Sequence, residues 1–196
     1  MIKALILDLN GVLIKGPWIT KRLIEDFGIP QEDAFATFKE VMGHLRKHGA
    51  GAMFSYWELH FKRWNISMGA EQWRDYWFSH EQLVGEMIAV AQEEKEKGIK
   101  IIILSNNFRE RTAYYDEKFP VLRTLADKIY YSWETGFVKP SKEAVGLVLK
   151  DFPYTPQEFL YFDDSEENIA IAQELGIRAH LFKDAKDVKE KLNGIS

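Results

Sequence analysis

The chain of 196 residues has no cysteine. Disulfides, thiolate metal sites and a cysteine nucleophile are therefore excluded. It also lacks long apolar runs. A membrane helix needs roughly 18–20 apolar residues, whereas a run such as Ile101-Ile102-Ile103-Leu104 is strand-sized. Met1 leads into a Lys-containing apolar segment that ends at Asp8, too short for a secretory leader with a small-residue cleavage site. No leader is expected, and the sequon Asn65-Ile66-Ser67 then has no secretory route. Basic charge is not in excess: the formal net charge is −4, which gives no support for nucleic-acid binding. There is no glycine-rich dinucleotide fingerprint, Walker-type loop or serine-hydrolase elbow. What is present is ordinary, 46% hydrophobic and 29% charged residues, and this excludes general disorder. At roughly 100–200 residues per domain, the length allows one domain or one core with a modest insertion. The expectation is a soluble cytoplasmic protein with neither membrane nor nucleic-acid partners; the sequence does not specify its oligomeric state.

Ala4-Leu5-Ile6-Leu7 is apolar without alternation, which suits a strand buried on both faces of a sheet. Similar runs recur at Ile99 to Leu104, Ile129 to Tyr131, Phe159 to Phe162 and Ala179 to Phe182. Helical stretches lie between them. Ser165 to Leu175 stops at Gly176, and Ser141 can cap a helix running to Lys150. The alternation predicts an α/β fold with a parallel, doubly wound sheet. From about Gly16 to Gly85 it breaks down: the pattern is helical throughout, with turns at Gly28-Ile29-Pro30, His48-Gly49-Ala50-Gly51 and Met68-Gly69. A helical insertion after the first strand is expected, returning through a helix from Glu86 to Lys97. The tail Asn193-Gly194-Ile195-Ser196 is expected to fray.

In open parallel sheets, ligands bind beyond the carboxyl ends of the strands. Asp8-Leu9-Asn10-Gly11 follows the first run, and Ser105-Asn106-Asn107 the second. After the third comes Gly136 to Pro140 with Lys139, and after the fourth Asp163-Asp164-Ser165. Such Asp and Ser residues can merely cap helices. All four groups in this order, however, bring three carboxylates, a hydroxyl and an ammonium to one edge. Three acids together repel unless a cation sits among them, and all-oxygen ligands favour Mg²⁺. A hydroxyl and a lysine beside that ion would receive a phosphoryl group, and a carboxylate can attack it as a nucleophile.

In these motifs the chain resembles the haloacid dehalogenase-like hydrolase superfamily, most of whose members are Mg²⁺-dependent phosphatases. Ile6 to Leu13 looks like motif one, Leu104-Ser105-Asn106 like motif two, Lys139-Pro140 like motif three, and Phe162-Asp163-Asp164 with Asn168 like motif four. The resemblance implies a Rossmann-like core over residues 1–15 and 86–196, with 16–85 as a helical C1 cap. It implies Asp8 as nucleophile, with Mg²⁺ held by Asp8, the residue 10 carbonyl and Asp164, and by Asp163 through water. Ser105 and Lys139 would hold the phosphoryl oxygens, with the Asn106 backbone or side chain close by. The implied partner is a small phosphorylated substrate.

Residue 10 departs from the family pattern. Most such phosphatases carry a second aspartate there, which protonates the leaving group and then activates water. Asn10 can donate a hydrogen bond but cannot transfer a proton at neutral pH. Three accounts stay open: slow turnover, a proton supplied by His44, His48, His60 or His80 of the insertion, or a fold kept without turnover and used to bind a phosphorylated ligand or a protein. An engineered substitution or deamidation at Asn10-Gly11 would also bear on activity. Dehalogenases of the family depart at this position too, but they need no metal, and Asp163-Asp164 points to the metal-dependent branch.

The insertion holds Trp18, Trp57, Trp64, Trp73 and Trp77, and most of these rings are expected to form its core. Trp18 is the expected substrate-facing aromatic. His44 and His48 share a helix face but lack the metalloprotease glutamate, so they are read as exposed. Glu93-Glu94-Lys95-Glu96-Lys97 is read as a solvated face with i, i+4 pairs.

Overall fold

The continuous apolar runs become strands in the computed structural model, which describes residues 1–194. Strand β1 (Ala4–Leu7) is buried at every position. A two-residue strand, β2 (Ile14–Lys15), leads into α1 (Ile19–Phe27), α2 (Gln31–Leu45), α3 (Met53–Arg63) and α4 (Ala70–Phe78). The chain returns through β3 (Gln82–Leu83) and α5 (Gly85–Glu96). Next come β4 (Lys100–Ser105), α6 (Arg109–Lys118), α7 (Val121–Leu125), β5 (Lys128–Tyr131) and the single turn α8 (Ser132–Thr135). The remainder is α9 (Lys142–Asp151), β6 (Phe159–Asp163), α10 (Glu166–Glu174), β7 (Arg178–Leu181) and α11 (Ala185–Asn193).

Five strands pair in parallel in the order β5-β4-β1-β6-β7. Leu7 lies opposite Ile103 on one side and Phe162 on the other. Side chains alternate along each strand, so Leu5, Ile103 and Phe162 enter one core layer and Ile6, Ile102 and Tyr161 the other. Helices α5, α6, α7 and α11 cover the first layer, and α9 and α10 the second. This is the expected doubly wound α/β sheet. The chain steps outward from β1 through β4 to β5 and then crosses back to β6 and β7. Strand order therefore reverses at β1, the position whose carboxyl end opens a ligand crevice in such folds.

The caps follow the sequence signals. Ser141 Oγ accepts the Ala144 N–H at 3.1 Å, and Ser165 Oγ accepts the Asn168 N–H at 3.4 Å. Gly176 ends the α10 turn with φ +82°, a left-handed conformation that glycine adopts without a Cβ penalty.

Two expectations are corrected. Residues 16–85 are not helical throughout, because β3 pairs antiparallel with β2, Ile14 opposite Leu83 and Lys15 opposite Gln82. Two-residue strands carry no periodic signal. The Glu93–Lys97 run is not simply a solvated face: Glu94 is buried and pairs with Lys97 at i, i+3, Lys95 Nζ donates to the Thr124 and Leu125 carbonyls, and Glu93 pairs with Lys189. In the tail, Asn193 is helical and the Gly194 N–H donates to the Glu190 carbonyl at 3.1 Å, while Ile195 and Ser196 lie outside the described residues.

Helices α1–α4 enclose their own apolar cluster. Trp57, Phe61, Trp73, Trp77 and Phe78 are buried, and the Trp57 and Phe61 rings each lie 4.8 Å from Trp73. Burying rings of this size supplies a short helical segment with most of its packing. Among the described residues, no helix is long and apolar enough to cross a membrane.

Candidate active site

Where β1 and β6 end, the chain turns polar. Asp8 follows β1 directly, Ser105 closes β4, Asp163 closes β6 with Asp164 next to it, and Lys139 lies in the loop between α8 and α9. These elements bring the oxygens of Asp8, Asp163 and Asp164 within 4.8 Å of one another. Lys139 Nζ donates to Asp8 Oδ1 at 2.8 Å, Asp163 Oδ2 at 2.6 Å and the Leu104 carbonyl at 2.7 Å. Lys139 is buried, so its ammonium depends on these partners to offset its desolvation.

The three carboxyls are shifted in different directions. Burial pushes the Asp8 carboxyl above the usual carboxylate range and the Asp163 charge adds to this, while Lys139 opposes it. Burial and Asp163 likewise raise Asp164. Burial would raise Asp163 as well, but the Lys139 charge together with the hydrogen bonds from Lys139, Tyr161 and Asn168 holds Asp163 low. Burial would lower Lys139, yet Asp8, Tyr161 and Asp163 together hold it well above its ordinary value.

Asp163 spends both oxygens on the protein. Oδ1 accepts the Ser165 N–H at 2.9 Å and Asn168 Nδ2 at 2.8 Å; Oδ2 accepts Lys139 and the Tyr161 hydroxyl. Asp164 remains exposed at the same edge. The backbone leaving β1 closes over it. The Gly11 N–H donates to the Ile14 carbonyl at 2.8 Å, φ at Gly11 is +103°, and a Cβ there would lie 2.1 Å from Asp164 Oδ2. Only glycine allows that approach.

The two asparagines are used differently from the aspartate pair. Asn106 braces the Lys139 segment: its Nδ2 donates to the Lys139 carbonyl at 2.6 Å and its Oδ1 accepts the Lys139 N–H at 2.7 Å. Its side chain is thus engaged, while Asn106 still lines the cavity. Asn10 Nδ2 donates to the Tyr115 hydroxyl at 2.6 Å, and Asn10 Oδ1 accepts Asn107 Nδ2 at 3.1 Å. Tyr115 in turn donates to Glu81 Oε2 at 2.8 Å, and Arg111 pairs with Glu81.

A cavity of about 530 Å³ opens over this edge. Its core side includes Asp8, Asn10, Ser105, Asn106, Lys139 and Asp164; its other side includes Trp18, Phe38, Arg46 and Trp77 from the insertion, with Glu81 and Arg111. Trp18 lines the cavity as expected and is 67% exposed. None of His44, His48, His60 and His80 is among the residues lining it. His44 stacks on Tyr56, His60 packs between Trp57 and Trp64, and His80 bonds to Ser79 and Arg22. The sequence reading missed Arg46, Glu81 and Arg111. Only the position of Arg46 beside the His48–Gly51 turn could have drawn attention to it.

Three carboxylates held together, two of them with raised proton affinity, form an all-oxygen donor set that a hard divalent cation such as Mg²⁺ would stabilise in its charged form. The residues fit such an ion.

Comparison with known proteins agrees with this edge chemistry. The family model described as haloacid dehalogenase-like hydrolase matches residues 2–176. D-ribitol-5-phosphate phosphatase of Bacteroides thetaiotaomicron is 34% identical over 74 residues, 38% of this chain and 36% of that protein. The chain thus spans about a third of the length of that curated relative. A HAD family enzyme of B. thetaiotaomicron superposes with TM-score 0.79 at 23% identity, covering 93% of this chain and 94% of that one. The same enzyme in complex with magnesium and inorganic phosphate superposes with TM-score 0.75 at 25% identity, covering 93% and 95%. A predicted HAD-like family hydrolase of Porphyromonas gingivalis gives TM-score 0.77 at 19% identity, covering 100% and 98%. The chain belongs to the haloacid dehalogenase-like hydrolase family.

Proposed function

We propose that this haloacid dehalogenase-like hydrolase is a Mg²⁺-dependent phosphatase acting on a small phosphate monoester. One observation carries the reading: the Asp8, Asp163 and Asp164 carboxylates converge at the switch point of the sheet, and Lys139 bridges the first two. The magnesium and phosphate complex of the B. thetaiotaomicron enzyme supports it. Residues 1–15 and 86–196 then act as the catalytic core, and 16–85 as a cap over the cavity.

In this reading Asp8 attacks phosphorus. Its oxygen–phosphorus bond forms as the bond to the leaving-group oxygen breaks, giving a phosphoaspartate. Water then attacks phosphorus and the Asp8 carboxylate departs. Asp8, Asp164 and the residue 10 carbonyl would hold Mg²⁺, with Asp163 steadying Lys139. The ion would supply positive charge for the phosphoryl oxygens. Ser105 Oγ, buried and without a partner among the described residues, is free to donate to a phosphoryl oxygen. Lys139 holds the Asp8 carboxylate in place and offsets its charge.

Both polar ends of Asn10 are already engaged, by Tyr115 and Asn107, and an amide has no proton to give the leaving group. Turnover is therefore slow in this reading. The same observation favours a second reading, a family member that binds a phosphorylated ligand or a protein without hydrolysis.

Phosphate release from a panel of small phosphomonoesters, with Mg²⁺ and with chelator, separates the two. Slow, chelator-sensitive release that Asn10→Asp raises by about 10²–10⁴-fold is expected. No release from either form would overturn the phosphatase reading and leave the binding role.

A further inference from the structure

Six buried side-chain polar atoms lack a hydrogen-bond partner among the described residues, and three belong to residues lining the cavity. Ser105 Oγ and Asn168 Oδ1 lie at the sheet edge. The third, Arg46 Nε, comes from the opposite side, at the end of α2. A cavity with orphaned polar groups at both ends suits a ligand that is polar at both ends.

The Arg46 backbone is firmly held. Its N–H donates to the Met42 and His44 carbonyls, and the loop that follows is tied to the core where the Met53 N–H donates to Glu110 Oε1 at 2.7 Å. Its guanidinium has no hydrogen-bond or ion-pair partner among the described residues. Arg111, the other guanidinium lining the cavity, already has Glu81. Burial and the Arg111 charge both act to lower Arg46 from its ordinary range, with Asp8 opposing. Glu81 is spent on Arg111, and among the described residues no carboxylate forms an ion pair with Arg46. Leaving a half-buried guanidinium unpaired at its buried Nε is costly, and its planar fork matches the oxygens of a carboxylate or phosphate.

The transferred phosphoryl group has its own groups in Ser105 and the Lys139-braced Asp8, all from the core. Arg46 instead shares the far wall with Phe38, Trp77 and Trp18, and a cavity of about 530 Å³ exceeds what a phosphoryl group alone would fill. We infer that Arg46 is a specificity-determining residue that holds a second oxyanion, carboxylate or phosphate, on the leaving-group side of the substrate. This rests on the phosphatase reading above and narrows its substrate class to phosphate monoesters bearing a second anionic group.

The test is calorimetric titration, in the presence of Mg²⁺, with three non-hydrolysable probes: propylphosphonate, 3-phosphonopropionate and propane-1,3-diphosphonate. The unaltered protein is expected to bind at least one of the two bifunctional probes about 10- to 100-fold more tightly than propylphosphonate, the size of a charged hydrogen-bonded pair. Which probe gains identifies carboxylate or phosphate as the second group. Arg46→Met is expected to erase that preference and Arg46→Lys to keep part of it, with thermal midpoints reporting that both variants fold. Equal binding of all three probes by the unaltered protein overturns the inference, as does a preference that survives Arg46→Met. Equal weakening of all three by Arg46→Met also overturns it, because Arg46 would then serve the transferred group. If propylphosphonate itself is not bound, with or without Mg²⁺, the phosphatase reading has failed and the inference falls with it.

Discussion

Gly11 sits where the backbone leaving β1 crosses Asp164, and two independent constraints act there: a φ of +103° and a virtual Cβ 2.1 Å from Asp164 Oδ2. Gly11→Ala must displace the Asp164 carboxylate. Mg²⁺ affinity is expected to fall by about 10- to 100-fold, the range seen when a ligand's supporting contacts are lost, while the protein still folds. Titration with Mg²⁺ checks this, and an unchanged affinity would mean that Asp164 is not a ligand. At this scale the sequence was legible where a residue adjoins a strand. Asp8, Ser105, Asp163 and Asp164 each end or follow a continuous apolar run, so their convergence follows from the parallel sheet. Arg46, Glu81 and Arg111 come to one cavity through tertiary packing across long stretches of chain, and no local pattern relates them. The sequence marked residue 10 as unusual, yet its Tyr115 and Asn107 partners became visible only with the fold.

Elements are joined in this protein by side chains that cap and stitch as well as by ladders. Asp127, just before β5, accepts the Ile101 N–H at 2.9 Å and Lys100 Nζ at 2.8 Å, fastening β5 to β4. Burial would raise its carboxyl, but the hydrogen bonds from Lys100 and the Ile101 N–H together with the Lys95 and Lys100 charges outweigh it, so it lies below its usual value of 3.8. A carboxyl lowered on folding contributes stability that is complete above the unfolded value and lost as pH falls through the folded one. The difference in urea midpoint between the unaltered protein and Asp127→Asn is therefore expected to hold steady above about pH 5 and shrink below about pH 4. A difference independent of pH would show that the carboxylate's charge contributes nothing. The sheet strands were readable because burial on both faces leaves an unbroken apolar run. The turns at Gly28, His48–Gly51 and Gly69 likewise mark the gaps between α1, α2, α3 and α4. The β2–β3 ribbon is too short for periodicity to register, and α6 begins Arg109-Glu110-Arg111-Thr112, which gives little apolar spacing to read.

Over the whole molecule, the crowded acids at the sheet edge make folding and metal binding interdependent. Unfolding separates Asp8 from Asp164, so an ion held between them stabilises the folded form alone. Mg²⁺ at a hundredfold excess over its Kd is expected to add about 2.7 kcal/mol, seen as a rise in thermal midpoint that chelator reverses. A midpoint indifferent to Mg²⁺ would count against the metal centre. The central strand has a different consequence, in the time the chain takes to be made. β1 leaves the ribosome before both of its neighbours, β4 and β6, the latter roughly 150 residues further along. At about 5–20 residues per second, β1 waits roughly 8–30 s for its second edge to be covered. The helices α1–α4 emerge within that interval, and their aromatic cluster draws almost entirely on their own residues. Synthesis thus completes the residues of that aromatic cluster on α1–α4 well before it completes the sheet around β1.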